Sequence, residues 1–584
     1  MKVIIVGAVA AGATLATSLR RLDENIEIVM YEKDRDMSFG NCELPYYLSY
    51  EIKDSKLLVH RDSESFAKRY NIKAENYHKV LSINRDQKSV RVLDKRCGEE
   101  FEENYDYLVL ATGAHANIPE SIKGTDQDHV FTIRNVMDVE NIRAYYEENH
   151  PKEIFVAGGG FIAIEAAHAL SQLSDVHINM FVRGKILGVI DDEFKPFIEE
   201  NIVENGINLF HEKELIEITE SEAIFASGKK VPADMVILGL GMAANNKLAT
   251  GSGLEVTERG SIVTDDNYKT SDPNIFAIGD VIDIKNLITG EKQNLKLAWP
   301  AHRQAKYVAN LIVGDKNQKG QSFIGTFLLK SFDFNIGVTG LAEEKLKDLG
   351  YDFDTTIIAH SDKVGIMPQS EMVYMKLFFD KADGKIYGAQ AIGKGVVDKR
   401  IDVIGTLIKM NGTIYDLYDL ELGYQPYYST TEDVNNVLGS QAINIKEGRL
   451  PHVRISELND VIGDYKIYDV RNETAYKECH IKGAELFQGS VEEFAKILEK
   501  DKKILIYDET GSLASNTIKR LQNIGITNVH MLDGGMLFLR EYAKYLDLDL
   551  LCENENQLWG QLIFDCILLV IFKQFLMATC SKHY

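Results

Sequence analysis

A single thiol and two glycine turns carry the chemistry in this chain. Cys42 stands in Ser38-Phe39-Gly40-Asn41-Cys42-Glu43-Leu44-Pro45-Tyr46-Tyr47. Read as opening a helix, it has its thiolate favoured by the N-terminal dipole, and the thiolate is the reactive form. No Cys-x-x-x-x-Cys pair is present, so an internal disulfide cannot hold the redox reserve. The alternatives are a mixed disulfide with a small thiol and a sulfenic acid.

The first turn, Gly7-Ala8-Val9-Ala10-Ala11-Gly12, follows the apolar run 3–6. In a dinucleotide fold the first glycine allows a tight turn and the third lets helix and strand pack closely, while the pyrophosphate rests on the helix N-terminus. Gly7 and Gly12 take those places, and Val9 takes the middle one. Glu32, twenty residues after Gly12, is placed to accept hydrogen bonds from ribose hydroxyls. The second turn, Gly158-Gly159-Gly160, follows the strand-like run 153–157, with Ala163 at its third position. Where a ribose-binding acid would stand, the chain reads Phe181-Val182-Arg183-Gly184-Lys185. Arg183 with Lys185 suits the 2′-phosphate of NADPH, which is therefore expected over NADH. If Arg183 is only a solvated loop charge, either nicotinamide is accepted.

These groups need scaffolding of a definite kind. Strand, glycine turn, helix and strand repeat twice, giving two βαβ units. Two further apolar runs end at Thr112-Gly113 and at Gly279-Asp280, so the second unit reads as inserted into the first. The expected fold class is α/β, with two Rossmann-like domains, an α+β domain for an interface and a further small α/β domain. The boundaries expected are 1–115 and 245–320 for the first nucleotide domain, 116–244 for the second, 321–446, 450–549, and a tail at 550–584. Within the tail, residues 559–577 are apolar but interrupted by Asp565, Lys573 and Gln574. A packing or interfacial helix is expected there rather than a membrane span.

Composition narrows the function classes. With 45% hydrophobic and 26% charged residues, the chain reads as globular throughout. A net charge of −23 repels nucleic acid and anionic membranes, so neither is an expected partner. Six cysteines without paired ligand spacing point away from a metal site or disulfide framework and towards a reducing, cytoplasmic setting. The apolar run begins at Val3 with no longer apolar region, so no secretory signal is expected.

Taken together, these residues resemble the single-cysteine branch of the FAD-dependent pyridine nucleotide–disulfide oxidoreductases, which holds coenzyme A-disulfide reductases, persulfide reductases and NADH oxidases. The resemblance covers residues 1–445 and is most specific at Ser38-Phe39-x-Asn41-Cys42-x-Leu44-Pro45-Tyr46-Tyr47. It implies FAD, a pyridine nucleotide and a homodimer, with Cys42 as the redox centre. It also implies that Asp280 binds the flavin ribitol, beside Thr112, Gly113 and Gly279, and that Glu165 lies by the nicotinamide. For coenzyme A it implies Thr14, Ser18, Arg21, Ser38, Asn41, Tyr70 and His302. Ser18 and Tyr70 depart from the usual residue types, and Arg20 and Arg21 also read as plain helix surface charges. Tyr424 matches a tyrosine that serves the opposite active site, with Tyr427 or Tyr428 as further proton donors. Ile366-Met367-Pro368, where a second tyrosine stretch is expected, looks more like the oxidases, and Glu432 replaces an expected lysine.

Residues 450–549 resemble a rhodanese module through Tyr468-Asp469-Val470-Arg471, His480-Ile481-Lys482-Gly483-Ala484 and Leu532-Asp533-Gly534-Gly535. The position of its sulfur-carrying cysteine is Asp508, so no sulfur transfer is expected there. Cys479 reads as structural. The expected activity is reduction of coenzyme A disulfide, or a related small disulfide or persulfide, through a mixed disulfide on Cys42. Its alternatives are an oxidase that forms water through a Cys42 sulfenic acid, and a flavoprotein sensor without turnover.

Overall fold

A computed structural model describes residues 1–315, 321–499 and 501–553. The apolar tail expected at 550–584 therefore lies outside the described residues from 554 onward. The strand Lys2–Val6 and its neighbours Glu27–Tyr31 and Tyr107–Leu110 are almost wholly buried, as befits a parallel sheet covered on both faces. That sheet is completed by Lys73–Glu75 at one edge and Ile275–Ala277 at the other. Val6 pairs with Tyr31 on one side and Leu110 on the other, so three strand ends meet at the Gly7 turn.

A second five-stranded parallel sheet is made by Val130–Phe131, Glu153–Ala157, His177–Val182, Asn208–His211 and Met235–Leu238. All of its strands fall, in chain order, between Tyr107–Leu110 and Ile275–Ala277, which are adjacent in the first sheet. The second nucleotide unit is thus inserted into the first. Further along, Phe353–Ser361, Met372–Asp380 and Ile386–Gly393 form an antiparallel meander. The last sheet is parallel, in the order His452–Val453, Val529–Leu532, Lys503–Tyr507, Tyr465–Asp469 and Glu485–Leu486.

The chain divides into two compact units. One comprises Met1–Ile190 and Ile198–Gly340, and the other comprises Asp191–Phe197 and the chain from Leu341 onward. Within the second unit the last α/β module is seated on the meander through Asp533. Its carboxylate accepts from Thr356 Oγ1 at 2.9 Å, the Ile357 backbone N–H at 2.9 Å and Gln441 Nε2 at 3.1 Å. Among the described residues, no helix is long and apolar enough to cross a membrane.

Candidate active site

The first glycine turn is built for close approach of a ligand to backbone. Gly7 has φ +100°, and a Cβ there would lie 2.3 Å from the Ala111 carbonyl oxygen. A Cβ on Gly12 would meet the Gly7 carbonyl oxygen at 1.8 Å, so neither site admits a side chain. Val9 has φ −97°, outside the left-handed region, so its place does not require a glycine. Val9 provides no side-chain cap for the helix Ala10–Leu22, leaving that N-terminus to an anionic ligand. Glu32 is buried and accepts from the backbone N–H groups of Ala8 at 3.0 Å and Asp34 at 3.2 Å. Burial pushes its carboxyl up.

The other rims of this cradle are turns as well. Gly113 (φ +65°) and Gly279 (φ +80°) end their strands in the left-handed region. Thr112 exchanges hydrogen bonds with Asn245, donating to its carbonyl at 2.8 Å and accepting from its Nδ2 at 2.7 Å. Gly279 donates its N–H to Gln304 Oε1 at 2.7 Å. Asp280 has Arg134 Nη2 at 3.6 Å, and burial pushes its carboxyl up. A glycine turn without room for side chains, an uncapped helix, a buried carboxylate and a half-buried one fit a dinucleotide with a polyol arm.

Cys42 hangs directly on this cradle. Ser38, in the left-handed region at φ +47°, donates its N–H to the Ala8 carbonyl at 2.8 Å and accepts from the His60 N–H at 2.9 Å. The chain then enters a short 3₁₀ turn, Asn41–Glu43, and the helix Leu44–Leu48. Cys42 is exposed, whereas the Asn41 Oδ1 beside it is buried without a hydrogen-bond partner. Arg143 closes the far end of the helix. Its guanidinium lies 3.6 Å from the Tyr47 ring centre and 3.8 Å from that of Tyr50, and donates to the carbonyls of Tyr47, Ile52 and Lys53.

The expected dipole-stabilised thiolate is corrected by the surroundings. Burial pushes the Cys42 thiol up, and the carboxylates of Glu165, Glu43 and Asp280 add to it, with Arg134 opposing. A five-residue helix behind a 3₁₀ turn offers little dipole against three nearby negative charges. Glu165, on the helix Phe161–Ser171, is itself pushed up to about 7 by burial. A carboxyl that titrates near neutrality beside a thiol can both take and return a proton.

Thr14 Oγ1 lies 2.6 Å from His302 Nδ1, and Arg21 donates to Ser18 Oγ at 3.2 Å. Thr14, Ser18 and Arg21 recur at helical spacing on Ala10–Leu22 and share a face. Burial and Lys306 push His302 down, so its imidazole is neutral at physiological pH. Arg20 is not a surface charge: it is buried and donates to the carbonyls of Tyr70, Asp23, Glu24, Ile26 and Asn71. It thereby ties Tyr70 to the helix, where Arg61 and Arg69 stand about 6 Å from the Tyr70 ring centre.

A cavity of about 610 Å³ opens over the second glycine turn. A Cβ on Gly158 would lie 2.3 Å from the Gly239 carbonyl oxygen, while Gly160 has open space around it and caps its helix without a side chain. Arg183, Lys185, Arg134 and Lys296 line the same cavity. Sequence reasoning missed Arg134 and Arg143. Neither sits in a motif, because each earns its place by reaching strands and helices distant in sequence.

In the second unit Tyr424, Tyr427 and Tyr428 are exposed. In the last module Asp508 is buried, and its carboxylate accepts from the backbone N–H groups of Leu513 at 3.2 Å and Ala514 at 3.1 Å. The loop that would cradle a sulfur anion thus closes on its own side chain. Burial pushes the Asp508 carboxyl up against these donors. Cys479 is buried, as expected of a structural residue.

The fold and site define a flavoprotein with two dinucleotide cradles and one cysteine, Cys42, beside the first. The pyridine nucleotide-disulphide oxidoreductase pattern matches residues 1–305, its dimerisation domain residues 328–434, and the rhodanese-like domain residues 455–537. The chain belongs to the pyridine nucleotide-disulphide oxidoreductase family, and is an oxidoreductase that uses FAD and a pyridine nucleotide. Coenzyme A disulfide reductase from Staphylococcus aureus is 33% identical over 442 residues, covering 76% of this chain and 99% of its own. Reduced CoADR-RHD of Bacillus anthracis has a TM-score of 0.90 at 34% identity, covering 93% of this chain and 98% of that one. The NAD-dependent persulfide reductase from A. fulgidus has a TM-score of 0.85 at 30% identity, over 92% and 100% of the two chains.

Proposed function

We propose that the chain reduces coenzyme A disulfide, or a related low-molecular-weight disulfide or persulfide, through a mixed disulfide on Cys42. The observation that carries this reading is the exposed Cys42 thiol tied through Ser38 to the first dinucleotide cradle, with Glu165 acting on it. FAD supplies the two-electron relay between the nicotinamide and sulfur.

On this reading Gly7, Gly12 and Glu32 hold the adenosine half of the flavin nucleotide, while Thr112, Gly113, Gly279 and Asp280 line its ribitol arm. Gly158, Gly160 and Arg183 hold NADPH, with Glu165 at the nicotinamide end. Thr14, Ser18, Arg21, Ser38, Asn41, Tyr70 and His302 bind the thiol-bearing substrate. Their support is one helix face carrying Arg21 and the unpartnered Asn41 Oδ1. Cys42 thiolate attacks one sulfur of the disulfide, forming the mixed disulfide and releasing the first thiolate, which takes a proton from Tyr424 of the facing subunit in a homodimer. Two electrons then break the mixed disulfide, returning Cys42 thiolate and the second thiol. The balance is one disulfide, one NADPH and one proton giving two thiols and NADP⁺.

The domain limits stated from the sequence belong to the same reading, as does a reducing, cytoplasmic setting. The module carrying Asp508 transfers no sulfur, because a carboxylate holds no persulfide and already fills its own cradle. The oxidase reading is favoured by one feature, Ile366, which is 90% exposed where the disulfide reductases carry a tyrosine.

Anaerobic NADPH consumption with coenzyme A disulfide, run beside Cys42→Ser and an aerobic sample without disulfide, tests the assignment. Turnover that needs both the disulfide and Cys42 is expected. Oxygen consumption through Cys42, with an inert disulfide, would replace it by the oxidase.

A further inference from the structure

The cavity over the second glycine turn has two cationic sides, and the sheet beneath it sets which is which. Glu153–Ala157, which leads into the turn, pairs in parallel with His177–Val182 on one side and Met235–Leu238 on the other. The chain leaving the first neighbour carries Arg183 and Lys185, the chain leaving the second carries Gly241 and Met242, and all four line the cavity. A dinucleotide laid across the ends of parallel strands puts its two halves on opposite sides of such a turn. With the adenosine half at Arg183, the nicotinamide half falls on the Met242 side.

Lys296 stands on that side. It precedes Leu297, the N-cap of the helix Ala298–Ile312, and its Nζ donates to the Met242 carbonyl at 2.6 Å. Arg134 lines the same cavity and donates from Nε to the Ala114 carbonyl at 2.8 Å. Met242–Ala244 and Ala114–Ala116 pair with each other, so the two strands of one antiparallel ladder hold one cation each. The acids nearby belong to the flavin cradle and the redox centre. Asp280 has Arg134 at 3.6 Å, and Glu165, Asp280 and Arg134 all act on the Cys42 thiol. Burial pushes the Lys296 ammonium down, with Asp280 and Asp283 opposing and Arg134 adding to it. Two dinucleotides exchange electrons only where their reactive ends meet, and Lys296 and Asp280 are neighbours from the two sites.

We propose that Lys296 sets the preference of this cavity between the two oxidation states of the nicotinamide: its ammonium disfavours the cationic ring of NADP⁺ and leaves the neutral ring of NADPH unopposed. This rests on the cavity being the NADPH site, and names a residue that discriminates substrate from product there. The bond to the Met242 carbonyl holds the ammonium in place before any ligand arrives. A charge on a half-buried side chain acts on a ligand charge more strongly than it would in open water. Asp280 and Glu165 pull the other way, so removal of Lys296 leaves the oxidised product held more tightly.

The test is ligand binding, measured by isothermal titration of the full, oxidised, FAD-loaded chain. Three probes share the 2′-phosphate: NADP⁺, tetrahydro-NADPH, whose ring is neutral and gives up no hydride, and 2′-phospho-ADP-ribose, which has no nicotinamide. Lys296→Gln removes the charge and keeps a donor for the Met242 carbonyl. It is expected to tighten NADP⁺ about threefold relative to tetrahydro-NADPH, with 2′-phospho-ADP-ribose within about twofold of wild type, the scale of one partly exposed charge. Lys296→Met, which gives up the Met242 bond as well, should shift the ratio by the same factor, and Lys296→Arg should leave it unchanged. A ratio that stays at the wild-type value in both uncharged variants, a ratio that moves the other way, or a shift for 2′-phospho-ADP-ribose as large as that for NADP⁺ overturns the proposal. If the wild-type protein binds none of the three, the cavity is not the NADPH site, and that assignment falls with the proposal.

Discussion

Glu165 and Cys42 titrate as neighbours, so neither proton comes off independently of the other. Burial holds Glu165 up to about 7, which leaves it half-ionised near neutral pH, and its charge raises the Cys42 thiol. As pH rises through 7, Glu165 becomes negative and further disfavours the thiolate. Replacing it by Gln removes that charge with little change of shape. In Glu165→Gln, alkylation of Cys42 by iodoacetamide is therefore expected to reach half its maximal rate at a lower pH, and to run severalfold faster near pH 7. An alkylation profile identical to wild type would show that burial alone raises the thiol.

At the scale of elements, the helix Leu44–Leu48 is too short to hold its own geometry, since isolated helices of this length do not persist in water. It is held by Ser38 at one end and by Arg143 at the other, where the guanidinium lies against two tyrosine rings and satisfies three carbonyls. Arg143→Ala removes the guanidinium donor from those carbonyls and the cation from between Tyr47 and Tyr50. Misplacement of a reacting group by about 1 Å costs up to about 100-fold in rate, so kcat with a disulfide is expected to fall by at least about 10-fold. Flavin reduction by NADPH, followed by stopped-flow absorbance, should be slowed less than this, because the helix directly follows Cys42 but meets the unit of the second glycine turn through the packed helix Phe161–Ser171. Equal slowing of both half-reactions would mean that Arg143 supports the nucleotide domain as a whole.

At the scale of the molecule, Asp533 joins the rhodanese-like module to the meander of the dimerisation domain from a fully buried position. Burial pushes its carboxyl up to about 6 from an ordinary 3.8, against the hydrogen bonds it accepts from Ile357 and Thr356. The folded chain therefore binds this proton more tightly than the unfolded one. Its contribution to stability is complete below about pH 4 and is lost as pH rises through 6, a difference of about 3 kcal/mol. Asp533→Asn should flatten the pH dependence of the urea midpoint over that window relative to wild type, and parallel curves would place the titration elsewhere.

The two glycine turns, Glu32 at the end of its strand, Cys42 in its motif and the carboxylate at Asp508 were legible in the linear chain, because each depends on residue types at fixed short spacings. So was the insertion of one nucleotide unit in the other, since strand, turn and helix alternate in a fixed order. Only the tertiary structure decided the electrostatics. Burial and the carboxylates of Glu165 and Asp280, from elements distant in sequence, join Glu43 of the same turn to reverse the expected preference for thiolate at Cys42. Arg20, read as a surface charge, turned inward because five carbonyls at the ends of nearby elements need donors. Arg134 and Arg143 carry no motif, for their partners lie tens to hundreds of residues away. Backbone conformation is set by neighbours along the chain, whereas charge, burial and packing are set by neighbours in space, and a sequence lists only the first.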